Sequence, residues 1–305
     1  MSFAQQLKNE ICYNRNFRQR HKAAQAHGML LYGKYFSAEK MGLHTEHKGV
    51  AKLYGNLISD LVGISATITT RETIKRSGGS LYAVSVDDRE DRKKILHFFG
   101  YEGDSQPKQI KKGKDWAEEA GIFISGVYLA CGNITDPKKS YMMEFLVPDE
   151  ILAEQLILIL QEIGMSPRLT QRRGHPVVYI KESENIEDLL TLMGAVKSSL
   201  TIMEVKIYKD VRNRVNRVTN CETANIEKTV NASVAQVADI NFIISVIGVD
   251  NIPAELQETA LLRIDHPDCS LRELGEMMTP VLSRSAVNHR LKKLSALANH
   301  LKGTE

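Results

Sequence analysis

Paired cysteines and long apolar runs are both missing from this sequence. Its 305 residues include four scattered cysteines, Cys12, Cys131, Cys221 and Cys269, and no two of them have the C-x-x-C spacing of a zinc or redox motif. The scatter indicates reduced thiols and therefore predicts a cytoplasmic protein. The apolar run at residues 151–160 is too short to cross a bilayer, so we expect no membrane partner.

A strong charge of either sign is missing as well. The 40 lysines and arginines nearly balance the 37 acids, and the net charge is only +3 at pH 7. Nucleic-acid binding, if present, must therefore come from local basic patches. The hydrophobic content of 43% and the charged content of 25% are those of a globular protein, and the length allows two or three domains.

Two short helices joined by a turn are predicted over residues 270–294. The apolar face of the first helix is formed by Leu271, Leu274 and Met278. Thr279 and Pro280 end this helix, because proline cannot continue its hydrogen bonds. Ser283 is expected to cap the second helix. The buried stripe of the second helix is formed by Val287, Leu291 and Leu294. This pattern predicts a helix-turn-helix.

The outer face of the second helix is rich in hydrogen-bond donors, and every charged residue between positions 283 and 303 is basic. Such a face suits the major groove of DNA. We expect bases to be read by Arg284, Ser285, Asn288 and His289. The DNA backbone would be contacted from the same region by Ser283, Arg290, Lys292 and Lys293. An ordinary helical hairpin with a solvated basic face remains the alternative.

The order helix, strand, helix, hairpin, helix occurs twice in the preceding part of the chain. The first copy is predicted at 23–33, 41–46, 49–61, 64–71 with 81–86, and 88–99. The second copy is predicted at 115–131, 141–147, 149–163, 168–173 with 177–181, and 186–193. The fold class is therefore α+β: a pseudo-symmetric, duplicated αββ domain followed by an all-α helix-turn-helix domain. The expected divisions are an N-terminal helical extension at 1–20, a first half at 21–103, a linker at 104–113, a second half at 114–204, a basic segment with a connecting helix at 205–250, and the final domain at 251–305.

The segment Ile124–Gly132 resembles the nine-residue LAGLIDADG signature of homing endonucleases, and Ala26–Lys34 is a weaker copy of it. In those enzymes the eighth residue of each copy is an acid, and the two acids hold the divalent metal. Here Gly33 and Cys131 occupy the eighth positions, and neither offers a hard oxygen ligand. The resemblance implies the endonuclease fold without its catalysis, and we expect no metal or other cofactor and no enzymatic activity.

The whole chain resembles the WhiA family of bacterial regulators. The most specific segments are 125–133 with 136–141, 212–217 with 220–225, and 285–291. The resemblance implies a sequence-specific transcriptional regulator linked to sporulation, cell division or chromosome segregation. It also implies a degenerate endonuclease domain and a C-terminal domain similar to region 4 of sigma factors. The expected partner is promoter DNA, with another regulator or RNA polymerase as a further candidate, and the expected location is the nucleoid.

Further basic residues are candidates for phosphate contacts. They are Lys206, Lys209, Arg212, Arg214 and Arg217 in the middle of the chain, and Arg168, Arg172 and Arg173 on the second hairpin. A solvated surface is an equally good interpretation of each group. The following segment, 222–246, is predicted to be a long helix that connects or packs the domains. Its apolar stripe is predicted to be core and consists of Ile226, Val230, Val234, Val237 and Ile240.

Three functions remain open at this stage. The favoured one is a non-catalytic DNA-binding regulator. A metal-dependent endonuclease and a partner-docking scaffold with weak DNA binding are the alternatives. His44 and His47, close to Glu46, are a weak metal candidate, because they do not form the H-E-x-x-H motif.

Overall fold

The computed structural model describes residues 1–14, 18–64, 67–75, 78–103, 109–113 and 115–303. Contacts divide the chain into two units, Met1–Lys209 and Asp210–Glu305. The first unit contains the duplicated α+β domain and the second is helical, which confirms the predicted fold class. The division falls inside the predicted basic segment at 205–250. The first half of the predicted linker, 104–108, lies outside the described residues.

The first half of the first unit consists of α1 (Phe3–Cys12), α2 (Gln19–Leu31), β1 (Tyr35–Phe36), β2 (Met41–Thr45), α3 (Lys48–Val62), β3 (Ile68–Ile74), β4 (Ser80–Val86) and α4 (Arg89–Phe98). The second half consists of α5 (Trp116–Cys131), β5 (Gly132–Ile134), β6 (Met143–Leu146), α6 (Glu150–Glu162), β7 (Arg168–Arg172), β8 (His175–Ile180) and α7 (Ser183–Leu192). The sequence missed β1 and β5, because strands of two and three residues carry no periodicity. Parts of the predicted first hairpin, 65–66 and 77, lie outside the described residues.

The two halves have the same sheet topology. Their antiparallel strands are ordered β1-β2-β4-β3 and β5-β6-β8-β7. One face of each sheet carries the apolar side chains that pack on the helices, as Val84 and Phe145 do. The internal duplication predicted from the order of elements is therefore present in the fold.

The halves meet where α2 crosses α5. A Cβ atom on Gly28 would lie 2.2 Å from the carbonyl oxygen of Phe123, and one on Gly126 would lie 2.0 Å from that of Gln25. Only glycine permits this approach of two backbones. Beside the crossing, the buried Gln25 amide donates to Ser125 Oγ at 3.0 Å. The small residues in these helices thus serve the contact between the halves.

The N-terminal extension is shorter than predicted. Helix α1 begins with a capping box between Ser2 and Gln5 and ends at Cys12, before the predicted boundary at position 20. Residues 15–17 are not among those described, and α2 begins at Gln19. Phe3, Leu7 and Ile11 repeat at a spacing of four and are buried in the core of the first unit.

A single helix, α8 (Val196–Ile247), replaces the predicted basic segment and the separate connecting helix. The prediction that its apolar stripe is core was wrong over most of its length. Ile226, Val230 and Val234 are 63%, 52% and 64% exposed, and Val237 is half-buried, whereas Ile240 is buried. Periodicity reports which residues share a face, but not whether another element covers that face.

The second unit has one apolar core. Ile240 and Ile243 of α8 pack with residues of α9 (Ala254–Asp265), α10 (Leu271–Glu276) and α11 (Arg284–Lys302). By length and composition alone, α8 is also long and apolar enough to span a bilayer. Two of its apolar residues nevertheless belong to the packed interior of a helical domain.

Candidate nucleic-acid interface

Helices α10 and α11 begin at the serines that the sequence indicated. Ser270 and Glu273 form a capping box, in which the Ser270 N–H donates to Glu273 Oε2 at 2.7 Å. Ser283 Oγ accepts from the N–H of Ala286 at 3.3 Å, which confirms the predicted cap. Each cap satisfies a backbone donor that would otherwise be unpaired at the helix start.

The turn between the two helices is held by a close backbone contact at Gly275. The N–H of Leu282 donates to the Gly275 carbonyl at 2.9 Å. A Cβ atom on Gly275 would lie 2.2 Å from the Leu282 carbonyl oxygen, so a larger residue requires the turn to move. Helix α10 ends at Glu276, earlier than the Thr279–Pro280 pair that was predicted to end it. Met278 lies past the helix and is still buried.

The inner face of α11 is the predicted one. It packs against α9, α10 and the end of α8 through Val287, Leu291, Leu294 and Ala298, all of which are almost fully buried. Burial of this stripe determines the rotation of α11, and with it the residues that face outward. The backbone of the helix is therefore well held for presenting side chains to a ligand.

Six of the eight predicted DNA-binding residues are exposed: Ser283, Arg284, Ser285, His289, Lys292 and Lys293. Within the described residues, neither Arg284 nor Lys292 has a carboxylate at ion-pair distance. Their charges are therefore not neutralised by the described part of the chain. The positive end of the α11 dipole is at Arg284 and adds to the local positive potential.

Two of the predicted residues have partners on α9. Lys293 Nζ lies 2.8 Å from Glu255 Oε1, and this hydrogen bond lowers the pKa of Glu255. Arg290 is half-buried, and its Nη1 is 3.5 Å from the Oγ1 of the buried Thr259. These contacts direct both side chains toward the domain. Within α11, they separate Arg290 and Lys293 from the free cations Arg284 and Lys292.

Asn288 is half-buried at the edge of a cleft of about 350 Å³. The cleft lies between the starts of α10 and α11 and the middle of α8. Its basic lining consists of Lys228, Arg263, Arg272 and Arg284. The sequence analysis missed Lys228 and Arg272, since no local pattern places α8 beside the helix-turn-helix. Arg263 has a structural role, because its buried guanidinium donates to the Pro267 and Cys269 carbonyls.

Several candidate phosphate contacts outside this domain have partners in the fold. Arg172 makes a two-pronged ion pair with Glu144 at 3.1 and 2.8 Å, and Arg168 pairs with Glu182 at 3.1 Å. Lys206 pairs with Glu184. Lys209, another of these candidates, donates to the Pro137 carbonyl at 2.7 Å, and its Nζ lies over the Tyr141 ring.

The other candidate phosphate contacts are arginines without an ion pair in the described part of the chain. Arg217 donates only to the Asn213 carbonyl one turn earlier in α8. Arg212 and Arg214 are exposed on the same helix, and Arg173 is exposed in the β7–β8 turn with a positive φ of 52°. No carboxylate pairs with these last three within the described residues. These three and Arg217 are candidates outside the helix-turn-helix that have no ion pair within the described residues.

The two former metal positions do not suit a divalent cation. A Cβ atom on Gly33 would lie 2.8 Å from the Met29 carbonyl oxygen, so position 33 has no room for a carboxylate without backbone movement. Cys131 donates from its Sγ to the Val127 carbonyl at 3.4 Å, and burial raises the pKa of its thiol to about 12. A neutral thiol and a glycine provide no hard anionic ligand for Mg²⁺.

Two members of the weak metal candidate formed by His44, Glu46 and His47 have other roles in the fold. His47 caps α3, because its Nδ1 accepts from the Val50 N–H at 3.3 Å. Glu46 forms an ion pair with Lys75. Within the described ranges, no three His, Cys, Asp or Glu side chains converge as a metal site would require.

Comparison with known proteins agrees with this division of the chain. The model of the WhiA LAGLIDADG-like domain matches residues 120–212, and that of the WhiA C-terminal HTH domain matches residues 215–298. The solved full-length DUF199/WhiA structure from Thermotoga maritima matches with a TM-score of 0.58 at 20% identity, covering 98% of this chain and 99% of that one. At that identity the match shows the fold.

Curated relatives match over nearly the full length. The probable cell division protein WhiA of Clostridium tetani is 32% identical over 326 residues, covering 99% of this chain and 98% of the relative. The protein of the same name from Ruminiclostridium cellulolyticum is 34% identical over 308 residues, with the same coverage. The chain belongs to the WhiA family of cell division proteins, with a degenerate LAGLIDADG domain and a helix-turn-helix domain.

Proposed function

We propose that this protein is a sequence-specific, non-catalytic DNA-binding regulator of transcription, acting at promoters of genes for cell division or sporulation. The observation that carries the proposal is the outer face of α11. There Arg284 and Lys292 are exposed and have no carboxylate partner among the described residues, while the apolar stripe of the same helix is packed into the core. Guanidinium and amide groups on a helix of this kind match base edges in the major groove.

Mapping of genomic binding sites tests the proposal. Purified full-length protein is incubated with fragmented genomic DNA of the source organism, and the retained fragments are sequenced. Recovered sites are then compared with shuffled sequences of equal length by fluorescence anisotropy at one stated salt concentration, since salt changes nucleic-acid affinity strongly. We expect a recurring sequence upstream of genes and at least about tenfold preference for it. Equal retention of all fragments contradicts sequence-specific regulation.

A second candidate is a scaffold that docks a protein partner, such as another regulator or RNA polymerase. The exposed apolar residues Ile226, Val230 and Val234 on α8 favour it, because solvent-facing apolar groups in a row are typical of binding surfaces. Replacement of Val230 and Val234 by serine separates the two functions. A docking surface would lose its partner while DNA binding by α11 persists.

The third candidate, a metal-dependent endonuclease, is opposed by Gly33 and Cys131 at the former ligand positions. Incubation of supercoiled plasmid with the protein and Mg²⁺ or Mn²⁺ tests it directly. We expect the plasmid to remain supercoiled. Nicking that EDTA abolishes and that copurifies with the protein would establish catalysis.

A further inference from the structure

A cavity of about 470 Å³ lies over the ends of the central helices in the first unit. Its wall is formed by the first turns of α1, the β2–α3 junction and the α5–β5 junction, which includes Cys131. Of the two former metal positions, Cys131 lines this cavity and Gly33 is not among its described lining residues. The volume is within the range of small-molecule sites in proteins.

The cavity contains a cation without a carboxylate partner. Lys8 of α1 lines it, half-buried, with its Nζ 5.8 Å from the centre of the Tyr128 ring. Within the described residues no carboxylate oxygen lies within ion-pair distance of this ammonium. Glu46, the acid in the described lining, forms its ion pair with Lys75 instead. Desolvation lowers the pKa of Lys8, so an approaching anion would relieve an unfavourable environment.

The thiols nearest this lysine do not supply the missing negative charge. Burial raises the pKa values of Cys12 and Cys131 to about 12, so both are neutral near pH 7. Gly33, at the other helix end, has no side chain. A centre that holds a divalent cation must be negative. The lining of this cavity combines the Lys8 ammonium with the neutral thiol of Cys131, and Glu46, the acid in the described lining, is paired with Lys75, so the cavity suits an anion rather than a divalent cation.

We propose that this cavity binds a small phosphate-bearing anion, with the Lys8 ammonium as its counter-ion. Lysine binds phosphate as a compact point charge. Two uncharged polar side chains also line the cavity: His44, and Asn133, whose amide donates to Glu144 Oε1 at 3.5 Å. A helix of ten residues, α1, begins at the cavity with Ser2 as its cap, and its positive end favours an anion. The proposal is independent of DNA binding by α11.

Calorimetric titration of the full-length protein with inorganic phosphate and with pyrophosphate tests this site. Ionic strength is held constant with chloride. We expect saturable binding of at least one probe, and Lys8→Gln should weaken it about tenfold to a hundredfold, because a charge-assisted hydrogen bond is lost. The matched control is Lys40→Gln, since Lys40 also lies over a tyrosine ring, 5.6 Å from the centre of Tyr35, but outside the cavity. It should bind like the wild type.

Further variants keep the test decisive if Lys8→Gln is poorly folded. Lys8→Arg retains the charge and should retain binding, whereas Asn133→Ala, on the opposite wall, should weaken binding. Absence of saturable binding for both probes overturns the proposal, as does equal affinity in the wild type and folded Lys8→Gln. If duplex DNA displaces pyrophosphate and Lys8→Gln weakens the duplex by the same factor, the ligand is a nucleic-acid backbone and the small-molecule site is rejected.

Discussion

Two helix pairs in this chain are both held by a close contact at glycine, but they carry different side chains at their ends. Helices α2 and α5 approach through Gly28 and Gly126, and the α10–α11 turn closes through Gly275. At the end of α5 the side chain is the half-buried, neutral Cys131, whereas α11 begins with the exposed Arg284, which has no ion pair within the described residues. Close helix contact therefore belongs to the architecture. The side chains at the helix ends decide what each pair can bind.

Substitution at the two glycine contacts should have the largest effect. Gly126→Ala places a Cβ atom 2.0 Å from a backbone carbonyl, and we expect it to destabilise the first unit by about 3 kcal/mol. Trp116, the single tryptophan, lies at the start of α5 and contacts the core of that unit. Urea unfolding followed by its fluorescence should therefore show a lower midpoint.

Gly275→Ala is the matched control, because its Cβ atom would lie 2.2 Å from a carbonyl in the second unit. It should lower the helical unfolding midpoint seen by circular dichroism and leave the Trp116 transition where it is. An unchanged Trp116 midpoint for Gly126→Ala would mean that α2 and α5 are not in the contact described.

The buried helix pair should also respond to acid. His27 of α2 packs against Phe99 and Phe123, its Nε2 is 2.7 Å from the Tyr101 hydroxyl, and burial lowers its pKa to about 4. In the unfolded chain the pKa of His27 has its ordinary value near 6.5, so on acidification the unfolded chain takes up the proton at a higher pH than the folded chain does. The contribution of neutral His27 to the free energy of unfolding is complete above pH 6.5. It is lost as the pH falls toward 4, a change of about 3 kcal/mol.

His27→Gln should remove this part of the pH dependence, because glutamine cannot be protonated. Urea midpoints between pH 7 and pH 4 measure it, and the exposed His97→Gln is the control that should keep the wild-type slope. Parallel pH profiles for His27→Gln and the wild type would show that another group causes the acid sensitivity.

Arg284→Ala tests the exposed helix end. Loss of a bidentate base contact should reduce affinity for the mapped site by about 1–3 kcal/mol and leave binding to shuffled DNA nearly unchanged. Anisotropy titrations with both duplexes measure the difference. Lys302→Ala is the control on the same helix, since Lys302 is paired with Asp239 at 2.9 Å. A loss of equal size on both duplexes would assign Arg284 to the backbone instead.

Local rules predicted much of this architecture. Ser283 was identified as a helix cap, and Leu291 was identified as core, because capping and helical periodicity depend on residues three or four apart. The internal duplication followed from the order of elements in the same way. Gly33 and Cys131 were identified through the resemblance to the endonuclease signature.

The remaining features depend on contacts between distant segments. Val230 and Val234 have the spacing of a buried face, yet the fold leaves that face uncovered. In the sequence Lys293 is equivalent to its neighbour Lys292, but in the fold Glu255 of α9 lies beside Lys293 and pairs with it. Lys8 carried no motif, because its interest comes from lying next to Cys131 in space. Sequence pattern ranks side chains by type and cannot tell which charges the fold neutralises.

The difference between paired and unpaired charges gives the smallest predicted effect, on the salt dependence of DNA binding by two adjacent lysines. Lys292→Gln removes an exposed, unpaired charge and should weaken all duplexes by a similar factor. The slope of log affinity against log salt should fall by about 0.9, the value for one phosphate contact. Lys293→Gln removes a charge already paired with Glu255 and should change the slope less. Titrations between low and moderate salt measure both slopes. Equal changes would mean that the ion pair opens on DNA, and that intramolecular pairing does not separate binding lysines from structural ones in this domain.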